Sequence, residues 1–236
     1  MSSFRNLLIN LHQKYNRRLN SGYLEHVYQA SYLDMARRTD WLKNIPLSSP
    51  NGGTASFSLL YILLSILRGE EINRIMELGV GKSTVLLTQY AEYFKKELSL
   101  IDDDEYWLQQ VSKKSSYVLP VYAKLSPIIV ENKRISWYKC LPPLSNVNLL
   151  IIDGPMAYAN RIKYNRIGAL NWIPEILGDE FIILVDDSNR AGERLLVKQI
   201  LKKLDQNDLA VKRREIIGGN SQTIIATKKY QKYLYL

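Results

Sequence analysis

Cysteine is nearly absent: Cys140 is the only one in 236 residues, so no disulfide can form within the chain. Histidine is almost as scarce, and His12 and His26 belong to no Cys/His cluster of the kind zinc needs. No apolar run approaches the roughly 18 residues of a bilayer span. The longest candidate, Phe57 to Leu67 (FSLLYILLSIL), reads instead as a buried helix. Gly-x-Ser-x-Gly is missing, which removes sequence support for a serine nucleophile on a strained turn. The opening MSSFRNLLINLHQKYNRRLNS lacks the apolar core and small-residue cleavage site of a signal peptide. With a single thiol, that points to a reducing cytoplasm.

What is present suffices for a sizeable core, since 46% of the residues are hydrophobic. The net charge is +9, with basic residues gathered at Lys14, Arg17 and Arg18 and again at Lys198, Lys202, Lys203 and Lys212 to Arg214. No nucleic-acid motif accompanies them, so a solvated basic surface is the favoured reading and a nucleic-acid or anionic-membrane partner the lesser one. From Ile72 onward, β-rich runs near 72–78, 97–102, 127–131, 148–153 and 180–186 alternate with helical stretches near 82–95, 104–115, 159–177 and 190–204. The chain then closes with LAVKRREII, a GGNSQ turn and TIIATKK. This pattern predicts an α/β fold: a doubly wound, mostly parallel seven-stranded sheet ending in a β-hairpin. Residues 1–55 form an expected helical extension or cap, with a lid over a pocket as its functional reading, and 56–236 the main domain.

Residues 76–84, MELGVGKST, admit three readings. A phosphate-binding P-loop needs glycine five residues before Gly81, where the bulky Met76 stands instead. The acidic residues after the apolar runs NLLIIDG and FIILVDD keep an NTPase alive as a lesser alternative, since a magnesium-binding strand ends that way. A dinucleotide loop needs a third glycine where Thr84 stands. In the third reading, Gly79 and Gly81 let backbone approach a ligand, and Asp102, ending the next strand in LSLIDDDEYW, accepts both hydrogen bonds of a ribose diol. Glu77 beside the loop suits a cationic nucleoside better than a phosphate.

Glu77-x-Gly79-x-Gly81 followed by Asp102 resembles the cofactor site of class I S-adenosylmethionine-dependent methyltransferases. The resemblance covers about residues 50–227; SWYKCLPPLSNVNLLIIDGP, NRIGAL and FIILVDDSNRAGE follow in an order similar to small-molecule O-methyltransferases. It implies a Rossmann-like fold, S-adenosylmethionine as cofactor, and O-methylation of a small molecule or sugar. It implies cofactor-binding roles for Glu77, Gly79, Gly81, Ser83, Asp102, Asp103, Trp137 and Asp153. Asp153 is the implied catalytic residue, and Tyr164 and Arg166 are candidates for the acceptor pocket. Metal-dependent members chelate with acidic residues after their fourth and fifth strands, so Asp153, Asp186 and Asp187 are the candidate Mg²⁺ ligands. Met156 departs from the lysine often found at that position in them. Asp187 or Ser188 has a plainer reading as the cap of the helix near 190. A non-catalytic nucleoside- or polyanion-binding module on the same fold is the competing class.

Overall fold

Short runs of Ile, Leu and Val build the centre of the sheet: β1 (Arg74–Leu78), β2 (Glu97–Asp102), β6 (Val147–Ile152) and β7 (Leu177–Val185). Parallel strands are buried on both faces, so their residues are apolar on both. Alternate residues feed two cores: Ile75, Leu149 and Ile182 point to one face, while Met76, Leu150 and Ile183 point to the other. The computed structural model describes residues 2–47, 55–111 and 115–236, with side chains from residue 20 onward except 111. The loop expected around 45–56 lies partly outside these residues, as do the side chains of His12, Lys14, Arg17 and Arg18.

The sheet has seven strands, as expected, in the order β3-β2-β1-β6-β7-β9-β8. All pair in parallel except the closing hairpin of β8 (Lys212–Ile216) and β9 (Gln222–Ala226), where β9 runs antiparallel to β7. The third strand is not the one expected. The run near 127–131 belongs to β4 (Leu125–Val130), which pairs only with β5 (Lys133–Tyr138) in a separate antiparallel hairpin. The place beside β2 is taken by β3 (Val118–Tyr122), the sequence VLPVY. Pro120 hides this strand from a propensity reading, yet an edge strand tolerates the missing N–H.

One face carries α2 (Phe57–Gly69) and α3 (Lys82–Phe94); the other carries α5 (Ala191–Asp205) and the β4–β5 hairpin. Ser56 caps α2 by accepting from Leu59 N at 3.2 Å, and the run read as a buried helix is one. Among the described residues, no helix is long and apolar enough to cross a membrane. A short α4 (Glu105–Val111) follows β2. The helix expected over 159–177 is instead a set of turns around a 3₁₀ segment, Asn165–Asn171. Three asparagines, Gly168 and Pro174 deny that stretch a regular helix. The chain ends in a second 3₁₀ segment, Lys228–Tyr235, whose Tyr230, Tyr233 and Leu234 join the core.

The N-terminal α1 (Ser2–Arg37) packs against α2, with Tyr32 donating to Pro46 O at 3.0 Å and stacking near Phe57. Glu25 accepts from Phe57 N and, at 2.7 Å, from Gly219 N in the turn between β8 and β9. Trp41 meets Tyr90 and Phe94 edge-on, and Gln89 bonds the backbone of Lys43 and Asn44.

The 3₁₀ segment is seated on β5 through Gly168, which lies flat against the Trp137 indole. A methyl at Gly168 would overlap the indole carbons, so Gly168→Ala is expected to lower stability by about 1–3 kcal/mol. Urea unfolding of the two proteins checks this, and an unchanged midpoint would show the indole free to move aside.

Candidate functional site

The strand order reverses between β1 and β6, and there the loops that follow the two strands touch backbone to backbone. Ladder bonds run on past the strand ends: Gly79 N donates to Ile101 O at 2.9 Å and Asp153 N to Leu78 O at 2.8 Å. Gly79 has φ +90°, and a Cβ there would lie 2.5 Å from Gly154 N. A Cβ on Gly154 would lie 2.5 Å from both Gly79 Cα and the Tyr138 hydroxyl. Only a pair of glycines allows this approach.

Beyond Gly79 the chain turns into α3, and Thr84 Oγ1 accepts from Gly81 N at 2.9 Å. The hydroxyls of Ser83 and Thr84 each donate to one oxygen of Glu77 at 2.6 Å. Glu77 is fully buried; burial pushes its pKa up to about 7, against the pull of the two hydroxyls. The side chains of Glu77 and Ser83 are thus buried and bonded to each other beneath the loop. The same bonds dispose of the P-loop reading. Its Ser/Thr hydroxyl has to face a phosphate-bound magnesium, whereas both hydroxyls here point inward, and Met76 is a buried strand residue.

The open side of the loop is lined differently. Nothing lies within 4 Å of where a Gly81 Cβ would be. Asp102 Oδ2 accepts from Val80 N at 2.6 Å and Oδ1 from Asp104 N at 2.8 Å, tying the loop to the tip of β2. Each carboxylate oxygen keeps a second lone pair that can accept from a ligand hydroxyl, so these acceptors fit a nucleoside's ribose. Burial raises the Asp102 pKa and the two amides lower it; exposed Asp103 beside it is likewise raised, chiefly by desolvation.

On the other side of the reversal point, Asp153 follows β6, and Asp186 and Asp187 follow β7. One oxygen of each carboxylate lies within 4.8 Å of the others. Arg166 is buried among them. Its Nη2 donates to Asp153 Oδ1 at 2.9 Å and to the Asp153 carbonyl, and its Nη1 to Asp187 Oδ2 and the Asp186 carbonyl, both at 3.3 Å. Nε donates to Pro155 O at 3.3 Å, and Glu193 Oε1 lies 3.6 Å from Nη1. Asp186 Oδ1 accepts from Gln222 Nε2 at 2.8 Å, and Arg190 reaches Asp187 Oδ2 at 2.7 Å. Desolvation is the first cause raising the pKa of Asp153, Asp186 and Glu193, and repulsion between neighbouring carboxylates adds to it. Asp186 reaches about 6, and Asp153 stands well above the carboxylate range despite Arg166.

Arg166 is thus a buried counter-ion, not an acceptor-lining residue. The Tyr164 ring is occupied by Lys133 Nζ and Lys163 Nζ, at 4.5 and 5.0 Å from its centroid. Trp137 is core, packed on Tyr138, Trp172 and Gly168, rather than beside the glycine loop. Asp187 and Ser188 do not cap α5, whose N-cap is Arg190 with no side-chain bond. Two participants carry no signal in the sequence: Glu193, whose place in the first turn of α5 looks like a dipole partner, and Gln222 at the start of β9. No spacing links either to Arg166.

No protein-family model matches the chain, and no curated protein matches its sequence. Solved structures of similar fold include the O-methyltransferase TomG of Streptomyces achromogenes in complex with S-adenosylmethionine, 12% identical, with a TM-score of 0.51 over 89% of this chain and 98% of that one. An O-methyltransferase of Bacillus cereus in complex with SAH is 12% identical, with a TM-score of 0.49 over 86% and 91%. The TomG superposition shows that the chain has the Rossmann-like fold of a methyltransferase.

Because the folded Glu77 holds its proton up to about pH 7 and the unfolded one only to about 4.5, the folded state binds more protons between those values. Its contribution to stability is full below pH 4.5 and is lost as pH rises through 7, about 3 kcal/mol in all. Glu77→Gln keeps one acceptor and stays neutral, so its stability relative to the parent is expected to improve progressively from pH 5 to 8. Urea unfolding across that range measures the difference, and a constant offset would show that Glu77 does not titrate there.

Proposed function

We propose that the chain is an S-adenosylmethionine-dependent methyltransferase acting on an oxygen of a small molecule or sugar. The observation that carries this reading is the pairing of Asp102, at the tip of β2, with the glycine loop after β1, beside the point where strand order reverses. Asp102 holds Val80 with one lone pair and offers others to a ribose diol, while Gly79 and Gly81 leave the backbone approachable. The TomG complex, similar in fold, supports the same cofactor.

Bound there, S-adenosylmethionine supplies an electrophilic methyl group on a sulfonium sulfur. The chain's share is to orient the acceptor and take its proton. Asp153 is the candidate to accept that proton, because its side chain is 27% exposed, whereas those of Asp187 and Glu193 are 6% and 0%. Burial and the neighbouring Asp186 raise its pKa well above the ordinary carboxyl value, against the pull of Arg166, so its proton affinity exceeds that of an ordinary carboxylate. Residues 1–55 serve as the cap on the domain formed by 56–236, seated through α2, α3 and the turn at Gly219.

A specific observation favours a second reading, a module that binds anions. A cavity of about 410 Å³ between α5 and the closing hairpin is lined by Arg194, Lys198 and Arg213, with Glu215 and the buried Ser188 beside them.

Calorimetric titration with S-adenosylmethionine, SAH and Mg-ATP, on the parent and on Asp102→Ala, separates the two. Micromolar binding of the first two, at least tenfold weaker in the variant, is the expected result, since a hydrogen-bonded charged group contributes about 1.5–3 kcal/mol. Binding of Mg-ATP alone would overturn the methyltransferase reading in favour of an anion-binding one.

A further inference from the structure

We propose that Arg166 permanently fills the place of a divalent cation, so that Asp153, Asp186 and Asp187 form a guanidinium-held anchor that takes no metal. The three carboxylates are spaced as metal ligands, yet the residues around them do not fit a Mg²⁺ ion.

The first argument is donor satisfaction. A guanidinium has five N–H groups, and the five acceptors facing Arg166 account for all of them: two oxygens of Asp153, one of Asp187, and the carbonyls of Pro155 and Asp186. The guanidinium already holds Asp153 Oδ1 and Asp187 Oδ2, and although Asp187 Oδ1 is left without a partner, an ion that ligated all three carboxylates would share their pocket with the Arg166 cation. The third carboxylate is engaged as well, with Asp186 Oδ1 held by Gln222.

The second is charge. Arg166 is only 4% exposed, and a guanidinium keeps its charge in proteins. A lysine could yield to a metal by losing its proton; an arginine cannot. Entry of Mg²⁺ would bring a second cation into the same buried volume, or expel a side chain whose bonds join the loops after β6 and β7.

The inference stands on the cluster alone and holds whether or not the chain transfers methyl groups. If it does, the acceptor is not held by metal chelation, and vicinal oxygens are no requirement for binding.

Titration of the full chain with Mn²⁺, followed by electron paramagnetic resonance of the free ion, tests it without any assay of activity. The parent is expected to show no saturable site at millimolar metal. Arg166→Ala vacates the centre of the cluster and is expected to bind one Mn²⁺ per chain, at least tenfold more tightly than the parent. Arg166→Ala/Asp187→Asn should lose that site again. One-site binding by the parent, weakened by Asp187→Asn, would overturn the proposal, and so would a folded Arg166→Ala that binds nothing. Should Arg166→Ala fail to fold, the parent and Asp187→Asn titrations decide alone.

Discussion

One guanidinium buried among four carboxylates ties together the loops that follow β6 and β7. Arg166 leaves a 3₁₀ segment that has little helical character of its own and reaches the ends of two central strands. Removing a partner from such a buried group leaves uncompensated charge, which costs far more than an exposed ion pair contributes. Charge is still not balanced one to one: Arg166 and Arg190 face Asp153, Asp186, Asp187 and Glu193. Burial and mutual repulsion raise the pKa of Asp153, Asp186 and Glu193, so each holds a proton more readily than an ordinary carboxyl.

Across the reversal point, buried acids are accommodated by other means. Glu77 is satisfied by two hydroxyls one turn away on α3, and Asp102 by two backbone amides. Neither is drawn to a cation. The consequence is an acidic strand tip, Asp102 to Asp104, beside an approachable backbone. Such a surface suits a neutral or cationic nucleoside and repels a phosphate.

The sheet is legible in the sequence because its central strands are apolar runs buried on both faces, and their period differs plainly from that of α3 and α5. The glycine loop and Asp102 are legible for a related reason: close backbone approach leaves glycine as the only choice, and the residue leaving a central strand has one place to go. What the sequence hides depends on tertiary context. VLPVY carries a proline that only an edge position excuses, and the β4–β5 hairpin has the same local pattern as a sheet strand. Arg166 reads as an acceptor-pocket candidate because nothing nearby in sequence shows that a polar 3₁₀ turn will be driven beneath two strand ends. Glu77 reads as a ligand contact because spacing reveals that a residue is near a loop, not from which side it supports it.

These two halves meet at Gly79 and Gly154, where backbone packs on backbone and closes the floor of the crevice. Above that floor the β2 side presents Asp102 and the open space at Gly81, and the β7 side presents Asp153, the part-exposed member of the buried cluster. Asp153 Oδ1 is bonded to Arg166, a side chain only 4% exposed, so the position and proton affinity of that carboxyl are set from below. Any chemistry that uses Asp153 as a base inherits its strength from the buried cluster, where repulsion from Asp186 and attraction to Arg166 oppose each other.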